Sequence, residues 1–394
     1  MRLALALKKS GIAAAALLSG WSAHAELGDG FPLGALRVLP SAGLSLVHDS
    51  NVALTSNTEI DSFLMIFSPA VRVQGGTDRN HYALTAQSEI ARYQSSSIDN
   101  YADYGLSAEW QYNPLTRHAL GFDGSWERGH DSRGTAAREG DLALLPLDPD
   151  SYDRYGIGAK YRFGAPGARG RLEFNVHRDQ IDYRNNRLFT VFRDRKDLSL
   201  GGSLYWRIAP KTSAVVSVDR VTAEYQVATL DSTEHHLLVG VEFDATARTS
   251  GGLLFGKSWK RFDDPTRPDF SGTSWRANLK YRLRSYSTLE LSTSRDTDET
   301  NGFGDFILRR DVTLAWSHQW NSKLGSQVDV GQARDEHRPS ARNDDTFFYG
   351  FSGQYHFRPW LSLGAGFRDY NRDSDIPALN YRRQQWLLSL EASL

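Results

Sequence analysis

From Leu44 to Leu394 apolar and polar residues alternate in runs that restart about every twenty residues. In one run Leu198, Leu200, Gly202, Leu204, Trp206 and Ile208 fall on one face of an extended strand, while Arg195, Asp197, Ser199, Ser203, Tyr205 and Arg207 fall on the other. Such a sheet is greasy on one side and wet on the other. A soluble sandwich can show the same alternation, but here the final run, Trp386, Leu388, Leu390, Ala392 and Leu394, keeps alternating to the last residue, as strands that close an outer-membrane barrel do.

The opening residues point to the same compartment. Arg2, Lys8 and Lys9 precede an apolar run from Gly11 to Leu18, and Ala23-His24-Ala25 forms a small-x-small site, so residues 1–25 read as a signal peptide cleaved after Ala25. The apolar run is too short to span a bilayer as a helix. Insertion must then be by strands. The chain divides into the signal peptide, a short periplasmic segment over 26–40, and a barrel over 41–394.

Counting the stripes gives an all-β, transmembrane, antiparallel up-and-down barrel of about eighteen strands, with sixteen as the alternative. The connections alternate in length. Short turns are predicted at Asn113-Pro114-Leu115, Ala165-Pro166-Gly167, Ala209-Pro210-Lys211, Asn321-Ser322-Lys323 and Arg358-Pro359. Longer charged links are predicted over 129–151, 180–196, 263–271, 296–305, 334–344 and 371–380. Short periplasmic turns opposite long extracellular loops are what a bacterial outer-membrane barrel requires.

Aromatic residues make up 12% of the chain, with 10 Trp and 17 Tyr, enough for two interfacial girdles. Tyr112, Phe163, Trp320, Phe357 and Trp360 would form the inner one, and Tyr104, Trp126, Tyr155, Tyr183, Trp259, Trp275 and Trp386 the outer. The chain has no cysteine, which excludes disulfides and thiolate metal sites, and a net charge of −1 offers no basic surplus for nucleic acid.

If the apolar stripes face lipid, the residues between them face the lumen. Arg276, Lys280, Arg282 and Arg284 then make one basic strand, expected to face Glu290, Asp311 and Asp329 across a water-filled lumen. Arg195, Asp197, Arg207, Glu242 and Arg368 complete the candidate pore lining. Arg-Asp neighbours recur near strand ends: Arg178-Asp179, Asp219-Arg220, Arg295-Asp296, Arg334-Asp335 and Arg368-Asp369. Each should place one charge inward and one outward, where outward cations can meet lipopolysaccharide phosphates.

Catalysis finds no foothold. His235 and His236 point to opposite faces of a strand and cannot share a metal, no Ser, His and acid grouping stands out, and no glycine-rich phosphate loop is present. Neither an enzyme nor a cofactor is expected.

The segment Leu44-Ser45-Leu46-Val47-His48-Asp49-Ser50-Asn51-Val52, followed by Ser62 and by Phe67-Ser68-Pro69-Ala70-Val71, resembles the start of the outer-membrane β-barrel porin family that includes exopolysaccharide-biosynthesis and export proteins. The entry to the last strand, Tyr381-Arg382-Arg383, is similar in style. This resemblance implies a conduit for an exopolysaccharide or capsular polysaccharide, working beside periplasmic export components and seated in outer-membrane lipid and lipopolysaccharide. A general or substrate-specific diffusion porin for small solutes is the alternative, and a plugged structural or adhesive barrel a third.

Overall fold

The computed structural model describes residues 30–394; the expected signal peptide lies outside the described residues. Its strands are β1 (Phe31–Leu33), β2 (Leu36–Asp49), β3 (Ser62–Thr77), β4 (Asn80–Tyr93), β5 (Tyr101–Leu115), β6 (His118–Asp131) and β7 (Asp150–Phe163). There follow β8 (Gly170–Tyr183), β9 (Arg195–Ala209), β10 (Thr212–Tyr225), β11 (Ser232–Phe243), β12 (Thr249–Phe262) and β13 (Phe270–Arg284). The last are β14 (Ser287–Glu299), β15 (Phe306–Gln319), β16 (Leu324–Arg338), β17 (Asn343–Arg358), β18 (Leu361–Ser374) and β19 (Tyr381–Ser393).

Each strand from β2 onward pairs antiparallel with its sequence neighbours, and β19 closes on β2 with Gln385 opposite Asp49 and Ser393 opposite Ser41. The result is a closed ring of eighteen strands plus the short β1. Closure leaves no long edge for another chain to pair with. Below the end of β19 the exposed edge of β2 is covered by β1, with Phe31 opposite Val38 and a turn through Gly34, whose φ of 62° suits glycine. The first barrel strand therefore starts at Leu36 rather than at 41, because this hairpin lets β2 run on past its partner.

Every apolar stripe read from the sequence lies on one strand and faces outward; Ile157 is 66% exposed, Leu388 61% and Leu314 42%. In a membrane that exposure is contact with lipid. The turns 78–79, 116–117, 164–169, 210–211, 244–248, 285–286, 320–323 and 359–360 share one rim, and connections that are mostly longer, from 339–342 up to 132–149, occupy the other.

Several expected boundaries move. The strands run on into 180–196, 296–305, 334–344 and 371–380, leaving loops only at 184–194, 300–305, 339–342 and 375–380. Charge there marks a wet rim of strand, not chain leaving the sheet. Asn113 and Pro114 belong to β5, at a register irregularity between Tyr112 and Leu115 that absorbs the missing proline donor. Tyr183 is not in the outer girdle: it is buried, faces inward, and its hydroxyl donates to Asp131 at 2.8 Å.

Candidate functional site

The lumen wall carries the chemistry. Eleven of the twelve sequence-predicted pore residues sit on inward positions of their strands, but they are grouped differently from the expectation; the twelfth, Arg284, lies beyond a register shift after Arg282 and pairs with Ser287, which shares the outward face of β14 with Leu289. Glu290 lies directly opposite Lys280 on the adjacent strand and is ion-paired with it, so it does not face β13 across the lumen. Asp311, on β15, accepts the Ser294 hydroxyl, and Asp329, on β16, pairs with Arg368 at 2.7 Å. These acids share a wall with the basic strand, because consecutive antiparallel strands are neighbours in an up-and-down barrel.

What stands across from β13 is β4, nine places round the ring. There β4 to β6 present Glu89, Asp103, Glu109, Asp123, Glu127 and Asp131 inward. The acids that stand across from β13 are therefore those of β4–β6, several of them paired within their own wall, as Glu109 is with Arg72 at 3.4 Å and Asp123 with Lys160 at 3.7 Å. Of the remaining candidates, Arg195 meets Asp197 at 3.0 Å and Glu242 meets Arg171 at 3.0 Å. Arg207, Arg282 and Arg284, toward the turn rim, form no ion pair with any described residue.

Toward the loop rim β14 leaves its neighbour. Its pairing with β13 stops at Arg295 opposite Trp275, whereas its pairing with β15 continues to Glu299. The freed end leans over the lumen to the β10–β12 wall: Glu299 accepts from Lys260 at 3.1 Å and from the Tyr225 hydroxyl, and Thr297 donates to Glu234. Asp296 sits 2.7 Å from both His236 Nε2 and Arg276. Glu234, His236 and Asp296 place ligand atoms within 4.8 Å of one another. Lys260, 3.7 Å from Glu234, and Arg276 already supply these carboxylates with cations, so the cluster works as an ion-pair latch.

The loop 132–149 crosses the mouth. Glu139 at its middle is buried, accepts from Asn301 at 2.9 Å and pairs with Arg342 at 2.8 Å and Arg372 at 2.6 Å. Asn301 joins β14 to β15, eight places round the ring from the β6–β7 pair that carries the loop. Contact between them spans close to a diameter. At its base Arg138 meets Asp150 at 2.9 Å. In the neighbouring loop, helix α1 (Arg187–Thr190) is tied by hydrogen bonds from Arg187 to Asp194, which hold the guanidinium above its ordinary range.

The residues that carried the sequence resemblance form the closure seam. Asp49 accepts from Arg383 Nε at 3.0 and 2.9 Å and from Gln385 at 2.9 Å. Ser50 Oγ accepts from the Gln384 amide at 2.9 Å, and Asn51 donates to the Arg382 carbonyl at 3.1 Å. Below them Val47, Leu64, Ile66, Ala91 and Leu387 make an inward apolar cluster, a patch that the alternation alone did not reveal.

A closed ring with a lipid-facing apolar belt, a charged lumen and a looped outer mouth defines an outer-membrane β-barrel of the porin class. The chain belongs to the family described as Putative beta-barrel porin 2, whose model matches residues 28–394. No curated protein matches its sequence. Its fold is similar to that of Pseudomonas aeruginosa OccK3 (OpdO), at 14% identity and a TM-score of 0.50, covering 91% of this chain and 95% of that one. Pseudomonas aeruginosa OpdL is similar at 12% identity and a TM-score of 0.51, over 92% and 99% of the two chains. Pseudomonas aeruginosa OccK1 (OpdK) is similar at 12% and 0.50, over 91% and 99%. Family and fold point to a channel rather than an enzyme.

Proposed function

We propose that this protein is a diffusion channel for small hydrophilic solutes, with a preference for small anions such as carboxylates. The observation that carries this reading is the loop 132–149, strapped across the mouth by Glu139. Small solutes can pass beside such a strap, whereas a polymer would need it displaced from its buried ion pairs. The anion preference rests on Arg207 and Arg282, cations at the inner end of the lumen that pair with no carboxylate among the described residues. A similar structure is that of Pseudomonas aeruginosa OpdK with vanillate, a small aromatic carboxylate. Polysaccharide export, implied by the sequence resemblance, receives no support from the family match or the similar folds, which favour the solute channel.

The test is reconstitution of the full barrel. Liposome swelling should be rapid with a small carboxylate, slower with a neutral sugar of like size and absent with a polysaccharide, and planar-bilayer reversal potentials should report anion preference. A barrel that conducts no ions, or that admits polysaccharide as readily as the carboxylate, would sink the proposal.

A further inference from the structure

We propose that an arc of outward-facing cations, Lys257, Arg295, Arg310 and Arg334, binds the phosphate groups of a phosphorylated glycolipid in the outer leaflet; this rests on the outer-membrane placement argued above. The Arg-Asp neighbours supply the first observation. Arg295 and Arg334 point outward while Asp296 and Asp335 turn inward to Arg276 and Arg309, so each dyad separates its charges and leaves the cation outside.

Cross-strand register then lines these cations up. Arg295 is directly opposite Arg310, and Arg310 directly opposite Arg334. Like charges in that relation destabilise a sheet. Two carboxylates offset only part of it: Glu336, 3.4 Å from Arg310, is shared with Arg338 at 2.5 Å, and Asp345 is 3.6 Å from Arg334. Arg295 has no carboxylate partner among the described residues; it donates to Thr273 Oγ1 at 2.7 Å and lies over the Trp275 ring at 5.8 Å. Lys257, opposite Thr273, is exposed and likewise unpaired among the described residues.

With adjacent strands ~4.8 Å apart, the arc from β12 to β16 covers about 20 Å. Trp275 places it at the outer aromatic girdle, where lipid headgroups lie. Arginine forks match phosphate oxygens bidentately, and a phosphate between neighbouring guanidiniums converts their repulsion into attraction.

The experiment titrates the purified full-length barrel with mixed micelles holding lipopolysaccharide, enzymatically dephosphorylated lipopolysaccharide, or phosphatidylglycerol. Wild-type protein should bind the first at least tenfold more tightly than either other. Each Arg→Gln change should weaken binding about fivefold, and R295Q/R310Q/R334Q together about a hundredfold, while K323Q at the opposite rim changes nothing. Equal binding of the dephosphorylated lipid or of phosphatidylglycerol overturns the proposal, and that arm needs no variant to fold. Normal binding by a heat-modifiable triple variant overturns it as well. Conductance of the same variant should be unchanged, which keeps this outcome separate from that of the channel reading.

Discussion

Replacing Asp49 by alanine removes the carboxylate that holds Arg383 at the closure seam, the only one bonded to it among the described residues. Asp49 is 1% exposed and holds Arg383 through both oxygens, with Gln385 as a third donor. Truncating one member of a buried pair costs about 3–5 kcal/mol, because the other charge stays behind without a counter-ion. Asp49→Ala should lose that much in guanidinium unfolding from lipid vesicles, followed by tryptophan fluorescence and by heat-modifiability on gels. Arg383→Met should cost less, since the Asp49 carboxylate keeps the Gln385 side-chain amide and the Asn51 N–H as donors. Removing both should restore most of the loss, giving a coupling energy of roughly 2 kcal/mol or more. Arg261 and Asp269, exposed and 3.9 Å apart, supply the control; breaking them should cost under about 1 kcal/mol. Strictly additive single changes, each of about 1 kcal/mol, would refute the claim that this pair locks the seam.

Leu314 faces lipid and Thr313 the lumen, so Leu314→Arg should cost about 2–4 kcal/mol and impair assembly while Thr313→Arg folds normally; equal tolerance in a heat-modifiability assay would mean a wrong register. Arg207→Glu with Arg282→Glu should move the planar-bilayer reversal potential toward cations without altering the gel shift, since neither residue is ion-paired among the described residues. Glu139→Ala should release the strap and raise single-channel conductance, and an unchanged conductance would show that 132–149 does not restrict the mouth.

The barrel was legible because a period-two stripe has one meaning per strand: each of the eighteen stripes maps to one strand, and Trp386 to Leu394 pairs with β2 as the alternation implied. Inward placement of the candidate pore residues follows from the same parity, except at Arg284, where a register shift after Arg282 breaks it. The partners of these residues do not follow from it. Alternation tells which face a residue occupies but carries nothing about depth or about which strands meet across space, so Glu290 was expected opposite β13 instead of beside it. Charged strand ends were equally opaque: Asp296, Asp298 and Arg334 read as loop until Arg276, Arg309 and the cross-strand neighbours show them held in the sheet. Tyr183 failed the girdle expectation for a parity reason, since it shares the inward face of β8 with His177 and Asp179.

Two kinds of cation therefore do different work in this wall. At the outer end nearly every inward arginine is held by a carboxylate, as in Arg276 with Asp296, Arg309 with Asp335, Arg368 with Asp329 and Arg383 with Asp49. Paired charges of this kind fix side chains in place and cancel at a distance, so they shape the opening more than they select ions. At the inner end Arg207 and Arg282 have no such partner among the described residues, so their charge is not cancelled there. On the solute-channel reading, a solute arriving from outside meets a constriction of paired charges before it meets Arg207 and Arg282. That reading filters size at the strap and charge sign deeper in, so loosening Glu139 should change conductance while reversing Arg207 and Arg282 should change selectivity.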